Sequence, residues 1–220
     1  MTDKMTITAP YITGLDELGM DAVADILEER GERQSIDSLS WSNEFPYHPL
    51  TVFSVAHSGQ YLYVDFFVRA NFLRAVNYKD NSPVHEDSCI GVYLQPCDGK
   101  EYFAFEFNCI GTIRASRRTC RDDASYLDAE QLSAVKRYAS CGTRPFQEVE
   151  GLFAWNVVVA IPLRLIGVEF DGRPLTLRGN FYKCASSTQQ PHYLSWSPID
   201  APAPDFHRPE AFGEINLAGI

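Results

Sequence analysis

The sequence predicts an all-β protein, an antiparallel β-sandwich or jelly roll with one or two short helices. Many short segments alternate apolar and polar residues with a period of two, the pattern of a strand with one buried face. Turn-forming residues separate these segments, and only two segments have helical periodicity. At 220 residues, the chain has the length of one large all-β domain.

Residues 15–31 contain the clearest helical pattern. Met20, Val23 and Leu27 recur at helical spacing, and Gly31 is suited to end the helix. A second short helix is predicted at residues 127–135, where acidic side chains come early and basic ones late, as the helix dipole favours.

Five segments alternate in the manner of strands: residues 62–68, 90–95, 102–109, 155–161 and 177–182. In the first, Leu62, Val64 and Phe66 point one way while Tyr63 and Asp65 point the other. The segment at 155–161 is apolar on both sides, so we expect both of its faces to be buried. Turns are predicted at 96–99 and 171–174, and the first makes a hairpin.

The composition favours one domain spanning residues 1–220. Hydrophobic residues make up 45% of the chain, enough for a packed core, and the sequence has no internal repeat or low-complexity linker. We expect residues 1–35 to pack on the sandwich as an N-terminal segment.

The net charge of −10 argues against nucleic acid, whose phosphates call for a basic surface. No apolar run approaches the roughly 20 residues that a membrane-spanning helix needs. The printed sequence begins without a signal peptide, which predicts a cytoplasmic protein, whereas a chain that had lost a leader would be periplasmic or secreted. The sequence does not indicate an oligomeric state.

The six cysteines, at positions 89, 97, 109, 120, 141 and 184, do not have the Cys-x-x-Cys spacing of zinc or redox sites. Cys89 and Cys109 lie in strand-like segments, where a free thiol acts as a small apolar group. Reduced thiols are therefore expected, although the even number leaves disulfides open. No cofactor or metal site is predicted.

The polar faces of the predicted strands carry a set of aromatic and hydrogen-bonding side chains. They are Tyr93, Gln95, Tyr102, Glu106, Asn108, Arg114, Arg178, Asn180 and Tyr182. If these strands share one sheet, these side chains converge on one groove. Aromatic rings pack on the C–H faces of a sugar, and carboxylate, amide and guanidinium groups bond its hydroxyls. A polar solvent face of an ordinary antiparallel sheet would have the same composition.

Five blocks carry a resemblance to a known family. They are VHEDSCIGVY (84–93), YFAFEFNCIG (102–111), NFYK (180–183), PHYLSW (191–196) and FHRPEAFG (206–213). In order and spacing, over residues 41–217, they resemble carbohydrate-binding module family 9-like proteins, many of them bacterial single-domain proteins. The resemblance implies a distorted β-sandwich that binds sugar without catalysis, and structural calcium in some relatives. No acidic cluster here has the spacing of a calcium loop.

In well-understood members of the family, two tryptophans clamp a terminal sugar ring, and acidic, amide and basic residues bond its hydroxyls. The resemblance places Trp196 as the second tryptophan and leaves Tyr78 as the nearest aromatic residue for the first. Gly91 stands where the family pattern often has Glu. The predicted saccharide site has Trp196 and Tyr182 as platforms and these further members: Glu106, Asn108, Arg114, Arg178, Asn180, Tyr102, Asp87 and Tyr78.

Two alternatives stay open. A glycoside hydrolase would need two carboxyl groups about 5–10 Å apart; Asp87 with Glu106 is the best pair, with Glu86 and Asp205 in reserve. Asp87 could instead hold the turn before a strand by accepting backbone N–H bonds. A β-sandwich that binds a partner protein would use a contiguous apolar patch on the same face.

Overall fold

A computed structural model describes residues 5–97 and 99–220. The strands are β1 (Thr6–Ala9), β2 (Glu32–Ser35), β3 (Leu50–His57), β4 (Tyr61–Ala75), β5 (Cys89–Pro96), β6 (Tyr102–Asn108), β7 (Ile113–Arg118), β8 (Ala124–Tyr126), β9 (Lys136–Ala139), β10 (Phe146–Pro162), β11 (Leu175–Ala185), β12 (His192–Ser195) and β13 (Gly213–Leu217). The α-helices are α1 (Met20–Arg30) and α2 (Ala129–Ala134).

The strands form two sheets. The first has the order β1-β13-β11-β5-β6-β7-β8, with β12 also paired to β11, and the second has the order β2-β3-β4-β10-β9. Within the part of the chain described, the strand pairs are antiparallel apart from β1 with β13. The predicted all-β sandwich with short helices is confirmed.

The five predicted strand segments lie in β4, β5, β6, β10 and β11. β5 and β6 pair as the predicted hairpin, with Cys89 opposite Asn108; residue 98 of its predicted turn lies outside the described residues. The alternation did not reveal β3. Most residues of this strand are buried, on both faces of the sheet, and such a strand lacks the alternation of apolar and polar residues.

The main core lies between the sheets and is built from the inward residues of both. Phe53 of the second sheet stacks on Phe181 of the first, with ring centroids 4.0 Å apart. Phe66 and Phe105 are fully buried in the same core. Burial of each large apolar side chain contributes about 1.5–3 kcal/mol, which makes this layer the main source of stability.

The N-terminal segment, as far as it is described, packs on both sheets. β1 pairs with β13 and β2 pairs with β3. Helix α1 buries Val23 and Leu27 against Val158 and other residues on the outer face of the second sheet. This contact explains why β10 is apolar on both faces, as the sequence predicted.

The outer face of the first sheet is covered by residues 199–212, which we call the covering segment. Tyr93, Tyr102 and Tyr182 project from this face and are buried in a cluster with Phe212 of that segment. The indole of Trp41 donates to the carbonyl of Ala201 at 2.8 Å, which ties the segment down. This second apolar layer determines which outward side chains can meet a ligand.

Within residues 5–97 and 99–220, no helix combines the length and the apolar character that crossing a membrane requires. Cys89, Cys109 and Cys184 are buried and carry free thiols. Burial raises the pKa of the Cys89 thiol well above its ordinary value. A thiol in this state is a poor nucleophile, in agreement with the predicted apolar role.

Candidate functional site

A pocket of about 430 Å³ opens between the outer face of the first sheet and the covering segment. Its floor comes from the sheet and one wall from the covering segment. The residues that line it are His85, Tyr93, Glu106, Arg114, Arg118, Arg121, Asp122, Cys184, Ser186, Tyr193, Pro204, Asp205, Phe206 and His207.

The register of three strands brings the floor together. Glu106 of β6 lies directly opposite Arg114 of β7, and residues paired in this way project from the same face of a sheet. Tyr93 of β5 lies on that face beside Glu106, because its neighbours Val92 and Leu94 point into the core.

A network of polar contacts fixes the charged groups of the floor. The hydroxyl of Tyr93 donates to Glu106 Oε1 at 2.9 Å, and burial together with Glu106 raises the Tyr93 pKa well above its ordinary value. Arg114 Nη1 lies 4.0 Å from Glu106 Oε2 and 3.1 Å from His85 Nδ1. Its Nη2 donates to the hydroxyl of Tyr126. The carboxylate and the guanidinium are thus held in place before any ligand arrives.

The wall is shaped by interactions of Asp205 and His207. Asp205 accepts the backbone N–H of His207 at 3.0 Å and forms ion pairs with Arg208 at 3.0 Å and Arg121 at 3.7 Å. Burial, assisted by nearby Arg118, lowers the pKa of His207 to about 3. The imidazole is therefore neutral at physiological pH, and its Nδ1 lies 3.0 Å from the hydroxyl of Tyr102.

Two partly exposed rings, Phe206 and Tyr193, give the pocket an apolar corner. Their centroids are 6.2 Å apart and their planes are inclined by 67°. Phe206 stacks on Tyr182 behind it, while Tyr193 makes an edge contact with Phe45 at 4.9 Å. Each ring therefore packs against a further aromatic ring that does not itself line the pocket.

Glu106 and Arg114 are the two predicted site residues that the structure brings together in this pocket. The predicted platform Tyr182 lies one layer below, 1% exposed, under the ring of Phe206. Tyr102 is likewise buried, beneath Phe212 and His207. A ring that other rings cover has no face for a ligand, so the platform role does not fit either tyrosine.

Asp87 and Asn108 form a buried polar anchor away from the pocket. Asp87 is fully buried and accepts the backbone N–H groups of Val76 at 3.1 Å and Asn77 at 2.9 Å. The amide of Asn108 donates to Asp87 at 3.0 Å, and Arg74 Nε lies 3.3 Å from the carboxylate. These contacts match the interpretation of Asp87 as a residue that holds the turn before a strand.

Asn180 and Arg178 also form hydrogen bonds to other parts of the chain. The fully buried Asn180 amide pairs with the backbone of Ser197, donating to its carbonyl at 2.9 Å and accepting its N–H at 2.8 Å. Arg178 donates to Gln95 at 3.0 Å and to the carbonyl of Pro209 at 2.7 Å. Neither lines the pocket.

Trp196 lies between the two sheets, 1% exposed, with its ring in edge contact with Phe53 and Phe181. Its indole N–H donates to Gln34 of β2. Tyr78 has the opposite placement, 60% exposed and outside the pocket. The structure therefore does not bring the two expected clamp residues together, and the core position of Trp196 gives a ligand no access to its ring.

Arg118, Arg121, Tyr193 and Phe206 line the pocket but were not among the predicted site residues. A signal for Arg118 was present, because Arg114 and Arg118 lie at even spacing on β7 and therefore share one face. The covering segment gave no such signal, since it has no regular period. Among the described residues, no group of three or more His, Cys, Asp or Glu side chains is placed to hold a metal ion.

A family model for carbohydrate-binding family 9 matches residues 21–217. The chain belongs to this family. This confirms the resemblance that the five sequence blocks carried. Among curated proteins, none matches the chain.

Solved structures include relatives of the same architecture. A protein from Bacteroides uniformis, to which carbohydrate binding has been attributed, superposes with a TM-score of 0.92 at 31% identity, covering 98% of this chain and 100% of that one. A family 9 module from Caldicellulosiruptor kristjanssonii in complex with glucose superposes with a TM-score of 0.64 at 14% identity, covering 98% and 97%. The same kind of module in complex with cellotriose gives 0.62 at 13% identity, covering 98% and 95%. The last two likenesses show the fold alone.

Proposed function

We propose that this chain binds a saccharide, without cleaving it, in the pocket between the first sheet and the covering segment. Membership of carbohydrate-binding family 9 supports the ligand class, and glucose and cellotriose are the ligands of two structural neighbours. The observation that carries the proposal is the combination, in one pocket, of two supported aromatic rings with fixed carboxylate and guanidinium groups.

The rings and the polar groups suit different parts of a sugar. Phe206 and Tyr193 form an apolar corner against which the C–H face of a pyranose can pack. Glu106 and Asp205 accept hydrogen bonds from hydroxyls, and Arg114 donates them. A volume of about 430 Å³ lies within the range of small-molecule sites.

The groups in the pocket are held in position without a ligand. Phe206 is fixed by its stack on Tyr182, whose hydroxyl donates to the Phe206 carbonyl at 3.1 Å. Asp205 and Glu106 are fixed by their arginine neighbours. Such preorganisation lowers the entropy lost on binding, because few side chains have to be immobilised.

The placement of Asp87 supports binding over hydrolysis. A glycosidase needs two carboxyl groups on either side of the scissile bond. Asp87 is fully buried and engaged by backbone and side-chain donors, so it has no access to a substrate at the pocket. Of the two reserve carboxylates, Glu86 does not line the pocket, and Asp205 is engaged by Arg208 and Arg121. The partner-protein alternative calls for a contiguous apolar patch, whereas charged side chains contribute much of this lining.

A glycan array followed by calorimetry tests the proposal. We expect the wild-type chain to bind at least one saccharide, with no reducing sugar released over hours. Glu106→Gln should weaken that binding roughly 10-fold or more, because a hydrogen bond to a charged group contributes about 1.5–3 kcal/mol. Glu101→Gln is the matched control, since Glu101 is an exposed glutamate paired with Arg117 outside the pocket. Silence across the array, or equal effects of the two variants, would overturn the proposal.

A further inference from the structure

Arg118 is the most buried of the three arginines in the pocket. It lies at the end of β7 and is 7% exposed. Its Nε donates to Ser116 Oγ at 2.7 Å, and its Nη1 donates to the carbonyl of Arg121. Both acceptors are neutral. A guanidinium has five N–H donors in a planar fork, so this group keeps donors for a further partner.

The carboxylates of the pocket are engaged by other cations. Glu106 lies 4.0 Å from Arg114, and Asp205 pairs with Arg208 and Arg121. Within residues 5–97 and 99–220, no carboxylate oxygen lies within 4.0 Å of an Arg118 nitrogen. Arg118 is therefore a buried cation without a directly paired counter-charge.

The other titratable groups nearby do not supply that counter-charge. His207 is neutral at physiological pH, because burial and the neighbouring arginines lower its pKa to about 3. Asp122 lines the pocket but is exposed, so water solvates its charge. Of the three arginines that line the pocket, Arg114 and Arg121 each form an ion pair with a carboxylate, and Arg118 is thus the one that no carboxylate of the described residues contacts directly.

A buried charge without a partner is costly, and a ligand that supplies the opposite charge relieves this cost. Planar guanidinium groups bind carboxylates through two parallel hydrogen bonds, a strong and directional arrangement. Resting on the proposed function, we infer that the preferred saccharide is acidic, and that Arg118 binds the carboxylate of a hexuronic acid unit. Arg118 is in this view the residue that sets the preference for acidic over neutral sugars.

Matched sugars test this inference on the wild-type chain. The probes are D-glucuronate with D-glucose and the neutral glucuronate methyl ester, and D-galacturonate with D-galactose and its methyl ester. In low salt, we expect at least one hexuronate to bind 10-fold or more tightly than both of its neutral counterparts. The preference should shrink as salt is raised, because salt weakens charge–charge attraction. Neutral sugars that bind as tightly as their acids would overturn the inference and leave saccharide binding in place. No binding of any probe or array glycan would overturn the proposed function itself.

Substitutions of Arg118 and of the adjacent Arg117 test which residue sets the preference for acidic over neutral sugars. Arg118→Gln should lower the ratio of acid to neutral affinity to near one, and Arg118→Lys, which keeps the charge without the fork, should give an intermediate ratio. Arg117→Gln is the matched control, because Arg117 is the adjacent residue of β7, on the opposite face, paired with Glu101. Thermal unfolding without sugar checks that each variant folds. A ratio of acid to neutral affinity that is preserved in Arg118→Gln would contradict the assignment of Arg118. If that variant does not fold, Arg118→Lys and the comparison of acids with methyl esters still test the assignment.

Discussion

The ring of Phe206 stacks on the ring of Tyr182, with centroids 4.2 Å apart and planes inclined by 17°. The Tyr182 hydroxyl also donates to the carbonyl of Phe206. Tyr182 was the predicted sugar platform, and its outward direction from the sheet was predicted correctly. The covering segment places a second ring over it, and that second ring lines the pocket.

Phe206→Ala should weaken saccharide binding by about 1–2 kcal/mol, roughly 5- to 30-fold, because the pocket loses an aromatic contact surface. Calorimetry with the best saccharide of the array measures the change. Tyr78→Ala is the control, since Tyr78 is an exposed aromatic residue outside the pocket. If the tyrosine variant lost affinity while the phenylalanine variant kept it, the site would lie elsewhere.

Trp196→Ala should lower the free energy of unfolding by about 3–5 kcal/mol, the range for deleting a large aromatic side chain from a core. The folded fraction should bind saccharide with an affinity within about twofold of the wild type, because the indole lies between the sheets. Urea unfolding and calorimetry measure the two quantities separately. A loss of affinity at unchanged stability would restore Trp196 to the ligand site.

Asp87→Ala should lower the free energy of unfolding by about 3–5 kcal/mol. The substitution leaves two backbone N–H groups, the Asn108 amide and the partly buried Arg74 guanidinium without their acceptor. Asp171→Ala serves as the comparison, because the Asp171 carboxylate pairs with Arg173 at an exposed turn and exposed ion pairs contribute little to stability. This substitution should therefore leave the urea midpoint nearly unchanged. Similar urea midpoints for the two variants would show that Asp87 is not a structural anchor.

Asp65→Asn should stabilise the fold at pH 7. Burial, opposed by the hydrogen bond from Asn156, raises the pKa of Asp65 from 3.8 to about 6. Between about pH 4 and pH 6 the folded state holds a proton that the unfolded state has released, so stability is lost as pH rises through this window, and at pH 7 the loss is complete. The asparagine variant avoids this loss and should be more stable by roughly 1–3 kcal/mol at pH 7. Urea unfolding at pH 3.5 should show the advantage reduced or gone, and an advantage that grows on acidification would contradict the assignment.

The sequence predicted the sandwich because alternation reports directly on which face of a strand is buried. It placed Glu106 and Arg114 on one face, and the register of β6 with β7 brings them together. The sequence could not reveal that Tyr102 and Tyr182 are covered. A sheet face with tyrosines and polar residues has the same sequence pattern whether it is exposed to water or covered by a loop. The contacts that bury them come from the irregular covering segment, more than 20 residues further along the chain from Tyr182.

Trp196 shows a second limit of pattern reasoning. The residues around it are serines and prolines, which are typical of an exposed loop, and the family resemblance placed it in a sugar clamp. In the structure, the neighbouring β12 pairs with β11 and the indole turns inward to Phe181. Arg118, by contrast, could have been predicted as a site residue from the sequence, because the alternation of β7 continues four residues beyond Arg114 and places both arginines on one face.

An NMR titration of ¹⁵N-labelled protein tests the central claim most directly. The titrants are the hexuronate and neutral sugar pairs described above, together with the best saccharide of the array. The account predicts that the largest amide shift changes cluster at Arg114, Arg118 and residues 205–207, with little change around Tyr78. Shift changes centred on Tyr78, on the far sheet, or spread evenly over the chain would contradict a saccharide site in this pocket.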